Sequence, residues 1–177
     1  MDLAGPMVNS VFKFNYMYRP NDNPLFDAVI ERRRMNYRHE KFSKHQLKDM
    51  MAFIKQGNTV WYGYDQDFGA PRSIFAPFFG IQTATLKTAM ALPRETGATT
   101  LMVSQMREDN GVYSIRFSPI FEGIEQEDDL TAATRLNKQL ETFIRIHPEQ
   151  YLWMHRRFRS RPEGEAPFYP KKKRKKK

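Results

Sequence analysis

Apolar residues recur along this chain at two spacings, and the places where one gives way to the other mark out its elements. Residues 59–69, TVWYGYDQDFG, open as an apolar run rich in β-branched and aromatic side chains, then turn abruptly polar. The run predicts a short buried strand. Asp65-Gln66-Asp67 and Gly69 predict the turn that closes it. Carboxylates at the carboxyl end of a buried strand stand where open α/β sheets place their ligands.

Upstream, residues 11–18 alternate well enough to predict a strand. The turn-rich RPNDNP at 19–24 follows, with Asp22 or Asn23 placed to cap a helix over 25–35. Leu25, Val29 and Ile30 are expected to face inward on that helix. Arg32, Arg33 and Arg34 in its last turn suit the negative end of the helix dipole. Ser43 is the expected N-cap of a helix over 44–56, ended by Gly57. Residues 73–79 (SIFAPFF) read as an edge strand or loop lining because of Pro77, and Phe75, Phe78 and Phe79 are core residues or the lining of an apolar groove. A helix interrupted near Pro93 is predicted over 83–96. Two strands over 99–106 and 112–117 are joined by Asp109-Asn110-Gly111, a strong hairpin signal. A long amphipathic helix is predicted over 128–146, and Pro148 is placed to start another. Alternating strands and helices predict an α/β fold, with the last hairpin making the sheet mixed.

Charge changes the picture less than the totals suggest. The formal net charge is +9, but residues 171–177 are all Lys or Arg, leaving 22 basic against 20 acidic side chains elsewhere. The length of 177 residues predicts one domain over 1–168, with a disordered basic tail over 169–177. A basic nucleic-acid-binding protein is the reading that the tail invites, yet no nucleic-acid motif accompanies it. There is no cysteine, so disulfides, thiol catalysis and cysteine-based metal sites are excluded. No window of 18 apolar residues predicts a transmembrane helix. No glycine-rich phosphate loop or nucleophile elbow occurs, and His39, His45, His147 and His155 lack zinc-ligand spacing. What remains are acids and arginines. Arg156, Arg157, Arg159 and Arg161 beside Tyr151, Trp153, Met154 and Phe158 make either the solvated face of a terminal helix or, as a group, a phosphate site, since guanidinium groups match phosphate oxygens bidentately.

Three blocks carry a resemblance: Arg19-Pro-Asn-Asp-Asn-Pro-Leu25, Trp61-Tyr62 through Asp65-Gln66-Asp67-Phe68-Gly69, and Pro148-Glu-Gln-Tyr-Leu-Trp-Met-His-Arg-Arg-Phe158. Together the chain resembles the bacterial late lipid A acyltransferases, more narrowly the lauroyl-transferring type, from Asp2 to about Gly164. The resemblance implies a glycerol-phosphate-acyltransferase-like α/β fold: a mixed sheet flanked by helices, here without its amino-terminal part. It implies acyl transfer from acyl carrier protein to a hydroxyl of a Kdo-modified lipid A precursor at the cytoplasmic face of the inner membrane. No cofactor is implied beyond the acyl carrier protein co-substrate, and no metal or nucleic acid.

Residue by residue, the resemblance matches Asp2 to the acid of the family's histidine–acid pair, in which the histidine takes the acceptor's proton. That histidine would precede Met1, so the 177-residue chain is expected to be inactive alone. A catalytically dead homologue with a binding role is the other expectation. The resemblance also matches Arg34 to an arginine tied to activity and Asp65 to an acid following the central strand.

Overall fold

The computed structural model describes residues 4–10, 13–35 and 40–170. They form two compact units. One unit contains the described residues up to Gly63 together with Leu92–Phe121; the other contains Tyr64–Ala91 and the described residues from Glu122 onward. Both mix helices with small sheets, so the α/β class holds.

In the first unit a short helix α1 (Ala4–Asn9) precedes strand β1 (Asn15–Met17). Strand β1 is the centre of a three-stranded parallel sheet, with β2 (Lys41–Phe42) on one side and β3 (Val60–Trp61) on the other. Asn15 ties its start to both neighbours: the side-chain amide donates to Thr59 O at 3.0 Å, and its oxygen accepts from Glu40 N at 2.8 Å. The strand before the acid loop is therefore an edge strand among the described residues, and half-buried, where the apolar run predicted a buried one.

Helix α2 (Pro24–Met35) starts as predicted. Asn23 Oδ1 accepts from the backbone of Leu25 and Phe26 at 3.0 and 3.2 Å, and Pro24 takes a position where no N–H is needed. Its apolar face is a correction to the sequence: Leu25 is 76% exposed and Val29 51% exposed, and neither faces inward.

Helix α3 (Leu47–Lys55) begins later than Ser43 suggested, because Ser43 O accepts the Gln46 N–H in a tight turn and delays the first helical bond. Gly57, at φ +87°, ends it as expected. Phe42, Met50 and Leu92 form one apolar cluster of this unit; Val8, Phe14 and Tyr16 form another, with Trp61 edge-on to Phe14. Strands β6 (Val103–Arg107) and β7 (Tyr113–Phe117) make the predicted hairpin, and Gly111 at φ +81° supplies its turn. This hairpin stands as its own two-stranded sheet and does not extend the parallel one.

The second unit is built on another hairpin, β4 (Ser73–Phe78) and β5 (Ile81–Leu86). Here the helix predicted from residue 83 is corrected. Phe79 and Gly80 both adopt left-handed conformations, φ 50° and 75°, which is the geometry of a two-residue hairpin turn. Ile81, Thr83 and Thr85 then pair back along β4, and the helix α4 (Thr88–Thr96) starts only afterwards, with Pro93 inside it. Pro77 is accommodated because a two-stranded sheet has only edges. Helix α5 (Asp129–Ile144) packs on β4, and its N-cap is Asp128, whose carboxylate accepts from Leu130 N and Thr131 N.

Candidate functional site

The acid loop at 64–69 and the carboxyl-terminal block from Pro148 meet within the second unit. A helix from Pro148 is not what forms. Two 3-10 turns, Pro148–Gln150 and Trp153–His155, are followed by Arg156 at φ 52° and ψ 57°. That left-handed residue reverses the chain and turns Arg157 and Phe158 into the core, where Phe158 joins Phe78 and Ile144. Of the three phenylalanines read as core or groove lining, Phe78 is fully buried in this core, while Phe75 and Phe79 are half-buried.

Arg157 is 1% exposed. Its guanidinium donates to Ala84 O, to Thr85 Oγ1 at 3.1 Å and to Asn137 Oδ1 at 3.3 Å, and lies 5.5 Å from the centre of the Phe78 ring. Asn137, also buried, completes the network by donating to Pro77 O at 3.1 Å and Thr85 Oγ1 at 2.9 Å. The cation is thus held by neutral oxygens. Burial pushes its pKa down, while the phenols of Tyr151 and Tyr64 and the charges of Asp65 and Asp67 pull it back up. Tyr64 and Tyr151 line the same region. Burial pushes both phenols up, and they donate to Leu136 O at 2.9 Å and Asp65 O at 3.3 Å.

The two acids of the loop have separate fates. Asp67 has a fully buried carboxylate. Its Oδ1 accepts from Gly69 N at 2.9 Å and Ser160 Oγ at 2.8 Å, its Oδ2 accepts from Ser160 N at 2.6 Å, and Arg159 Nη2 lies 3.4 Å from Oδ1. Burial alone pushes its pKa up, but the hydrogen bonds from Ser160 and Gly69, with the Arg159 charge, more than offset that and hold it below the ordinary aspartate value. Asp67 is a latch between loop and block. The Asp65 carboxylate accepts no hydrogen bond from the described residues; only its backbone carbonyl is held, by Tyr151. It is the uncommitted acid of the pair.

The remaining residues singled out from sequence fall as follows. Arg156 is exposed and its guanidinium lies 5.4 Å from the Tyr169 ring centre. Arg159 is partly exposed and also donates to Asp67 O at 2.6 Å. Arg34 lies in the last turn of α2, in the first unit, with its side chain outside the described residues. Asp2, His39 and residues 171–177 lie outside them too. His147 Nδ1 stands 3.3 Å from Glu149 Oε1. Among the described residues no group of three or more acids and histidines is arranged to hold a metal ion.

Asp67 carries a weak sequence signal, since Asp-x-Gly favours the side-chain-to-backbone turn that it makes with Gly69. Nothing local distinguishes Arg157 from Arg156.

Residues 2–160 match the sequence profile of a family described as bacterial lipid A biosynthesis acyltransferase. The chain is 36% identical over 171 residues to the lipid A biosynthesis palmitoleoyltransferase of Escherichia coli K12, covering 96% of this chain and 56% of that protein. It is 37% identical over 150 residues to the lipid A biosynthesis lauroyltransferase of the same organism, covering 84% and 49%. A lipid A biosynthesis acyltransferase of Haemophilus influenzae is 28% identical over 154 residues, covering 85% and 50%. The chain therefore spans about half the length of the curated relatives it matches.

Proposed function

The chain belongs to the bacterial lipid A biosynthesis acyltransferase family, and from that premise we propose that it serves the transfer of a fatty acyl group, lauroyl or similar, from acyl carrier protein to a hydroxyl of a Kdo-modified lipid A precursor. The family match across residues 2–160 carries this reading. Two relatives of nearly equal similarity are named for palmitoleoyl and lauroyl transfer.

In the proposed reaction the acceptor oxygen attacks the thioester carbonyl, an ester bond forms, and the carbon–sulfur bond breaks to release the carrier's thiol. Asp2 takes the place of the acid that orients the family's base histidine. Arg34 binds a substrate phosphate or stabilises the oxyanion of the tetrahedral intermediate; a donor in that role is worth roughly 3 to 4 kcal/mol in a water-excluded site. Asp65 organises the site, its carboxylate open to a partner that the described residues do not supply. Arg156 and Arg159 reach toward lipid phosphates. Arg157 is structural, since its guanidinium is already engaged by Ala84, Thr85 and Asn137. The reaction takes place at the cytoplasmic face of the inner membrane, where both lipid acceptor and carrier protein are available.

A full-length chimera tests this, with residues 2–160 replacing the matching stretch of the E. coli palmitoleoyltransferase. It should transfer acyl groups from acyl carrier protein to the lipid acceptor. Arg34→Ala and Asp65→Ala should each lower the rate at least about tenfold with folding retained. Near-normal rates in both variants would remove these residues from the site.

A further inference from the structure

The carboxyl-terminal block presents three consecutive apolar side chains to solvent: Leu152, Trp153 and Met154, the last 86% exposed. Apolar residues scattered singly on a surface need no explanation, but three in a row at the tip of a held turn do. The turn is rigidly built. Trp153 N donates to Tyr151 O at 2.8 Å, its indole N–H donates to Pro148 O at 2.8 Å, and its ring packs edge-on to Tyr151 at 4.8 Å. With the indole N–H already satisfied inside the protein, the exposed rim of the ring is purely apolar.

Cations flank this tip. Arg156 follows after His155, its N–H donating to Trp153 O at 3.0 Å. Arg145, largely exposed, lies 4.9 Å from the centre of the Phe79 ring, and that ring stands 6.2 Å from Trp153. Two acids lie nearby. Glu141 accepts the Phe79 N–H at 2.6 Å and lies 3.6 Å from Arg145, and Glu149 lies beside His147.

We propose that Leu152, Trp153 and Met154, with Arg145 and Arg156, form a docking face that inserts shallowly into a bilayer carrying anionic headgroups. An apolar tip flanked by two arginines matches the two layers of such a surface: acyl chains for the tip and phosphates for the guanidinium groups. Tryptophan is the residue most at home at that boundary. No described helix is long and apolar enough to cross a membrane, and a docking face of this kind needs none. The inference deepens the acyltransferase reading, on which it rests for choosing a lipid surface over a protein partner.

The chain has two tryptophans, Trp61 and Trp153, so Trp61→Phe leaves Trp153 as the single fluorescent reporter. The test mixes this protein with vesicles of phosphatidylethanolamine and phosphatidylglycerol, the latter with brominated or unbrominated acyl chains. Bromine should quench Trp153 emission, as expected for an indole at the acyl boundary. Leu152→Asp with Met154→Asp should abolish most of that quenching, even though the basic residues 171–177 keep the protein sedimenting with the vesicles. Sedimentation without quenching would mean adsorption by the basic tail and overturn the proposal, as would quenching unchanged by the double substitution. A lipid-independent blue shift that follows protein concentration would identify a second copy as the occupant and overturn it too. Should Trp61→Phe disturb folding, the otherwise unaltered protein with Trp153→Phe serves instead: bromine-sensitive emission should vanish, and its persistence would sink the idea. Acyl transfer is not read in any arm, so activity in the chimera without Trp153 quenching removes the docking face alone.

Discussion

The two units use their polar groups in opposite ways. In the first, apolar clusters around Phe14 and around Met50 make the interior, while ion pairs such as Arg19–Asp22 lie at the surface, where they contribute little. In the second, a cation, an amide and a carboxylate are inside, each with its partners supplied by distant segments. Apolar packing tolerates exchange among side chains of similar size. A buried polar network tolerates almost none, because every lost partner leaves another group desolvated and unpaired. The acid loop and the arginine block are thus fixed in place by a few groups that act together.

The sharpest way to break this contrast is at two adjacent arginines. Arg157→Ala should destabilise the protein by about 3 kcal/mol or more, since it empties a buried site and strands the acceptors of Ala84, Thr85 and Asn137. Arg157→Lys should recover little, because an ammonium cannot reproduce the planar fork. Arg156→Ala should change stability by no more than about 0.5 kcal/mol. If Arg156 reaches lipid phosphate, the same change in the chimera should raise KM for a bisphosphorylated acceptor more than for a dephosphorylated one. Urea unfolding of the three variants decides the first point; equal small losses at 156 and 157 would erase the distinction between the units.

A smaller effect is expected at the latch. Asp67→Asn should cost about 1 to 2 kcal/mol at neutral pH, because the amide cannot accept at both ends as the carboxylate does. The folded-state pKa of Asp67 lies below its unfolded value. Its contribution is therefore fully present above the ordinary aspartate pKa and is lost as pH falls through the lower, folded value. Unfolding curves from neutral to strongly acidic pH should show that decline in the parent protein and a shallower one in Asp67→Asn. Parallel curves would mean that Asp67 titrates alike in both states.

The smallest change belongs to the first unit. Leu25→Ser should shift stability by no more than about 0.5 kcal/mol, as Leu25 is largely exposed on α2. A loss above about 2 kcal/mol would show that the outward face of α2 is packed after all, and would make the two units more alike than described.

Much of this was written locally in the chain. The cap at Asn23, the turn at Asn110-Gly111 and the start of α5 at Asp128 were legible because each depends on a side chain bonding to backbone within a few residues. The family was legible for a related reason: its blocks are contiguous stretches of sequence. The inward face assigned to Leu25 and Val29 failed because periodicity says that a helix has an apolar side, not that something covers it. The helix expected from residue 83 failed because Phe79, a residue that rarely adopts positive φ, makes the hairpin turn there.

Only the tertiary structure decided which of the adjacent arginines is buried and which of the two loop acids is spoken for. Arg157 and Arg156 have the same side chain and nearly the same neighbours in sequence, and Asp65 and Asp67 flank one glutamine. The partners that separate them lie far along the chain: Ala84 is 73 residues from Arg157, and Ser160 is 93 residues from Asp67. Burial is a property of what folds against a side chain, and no local spacing encodes it.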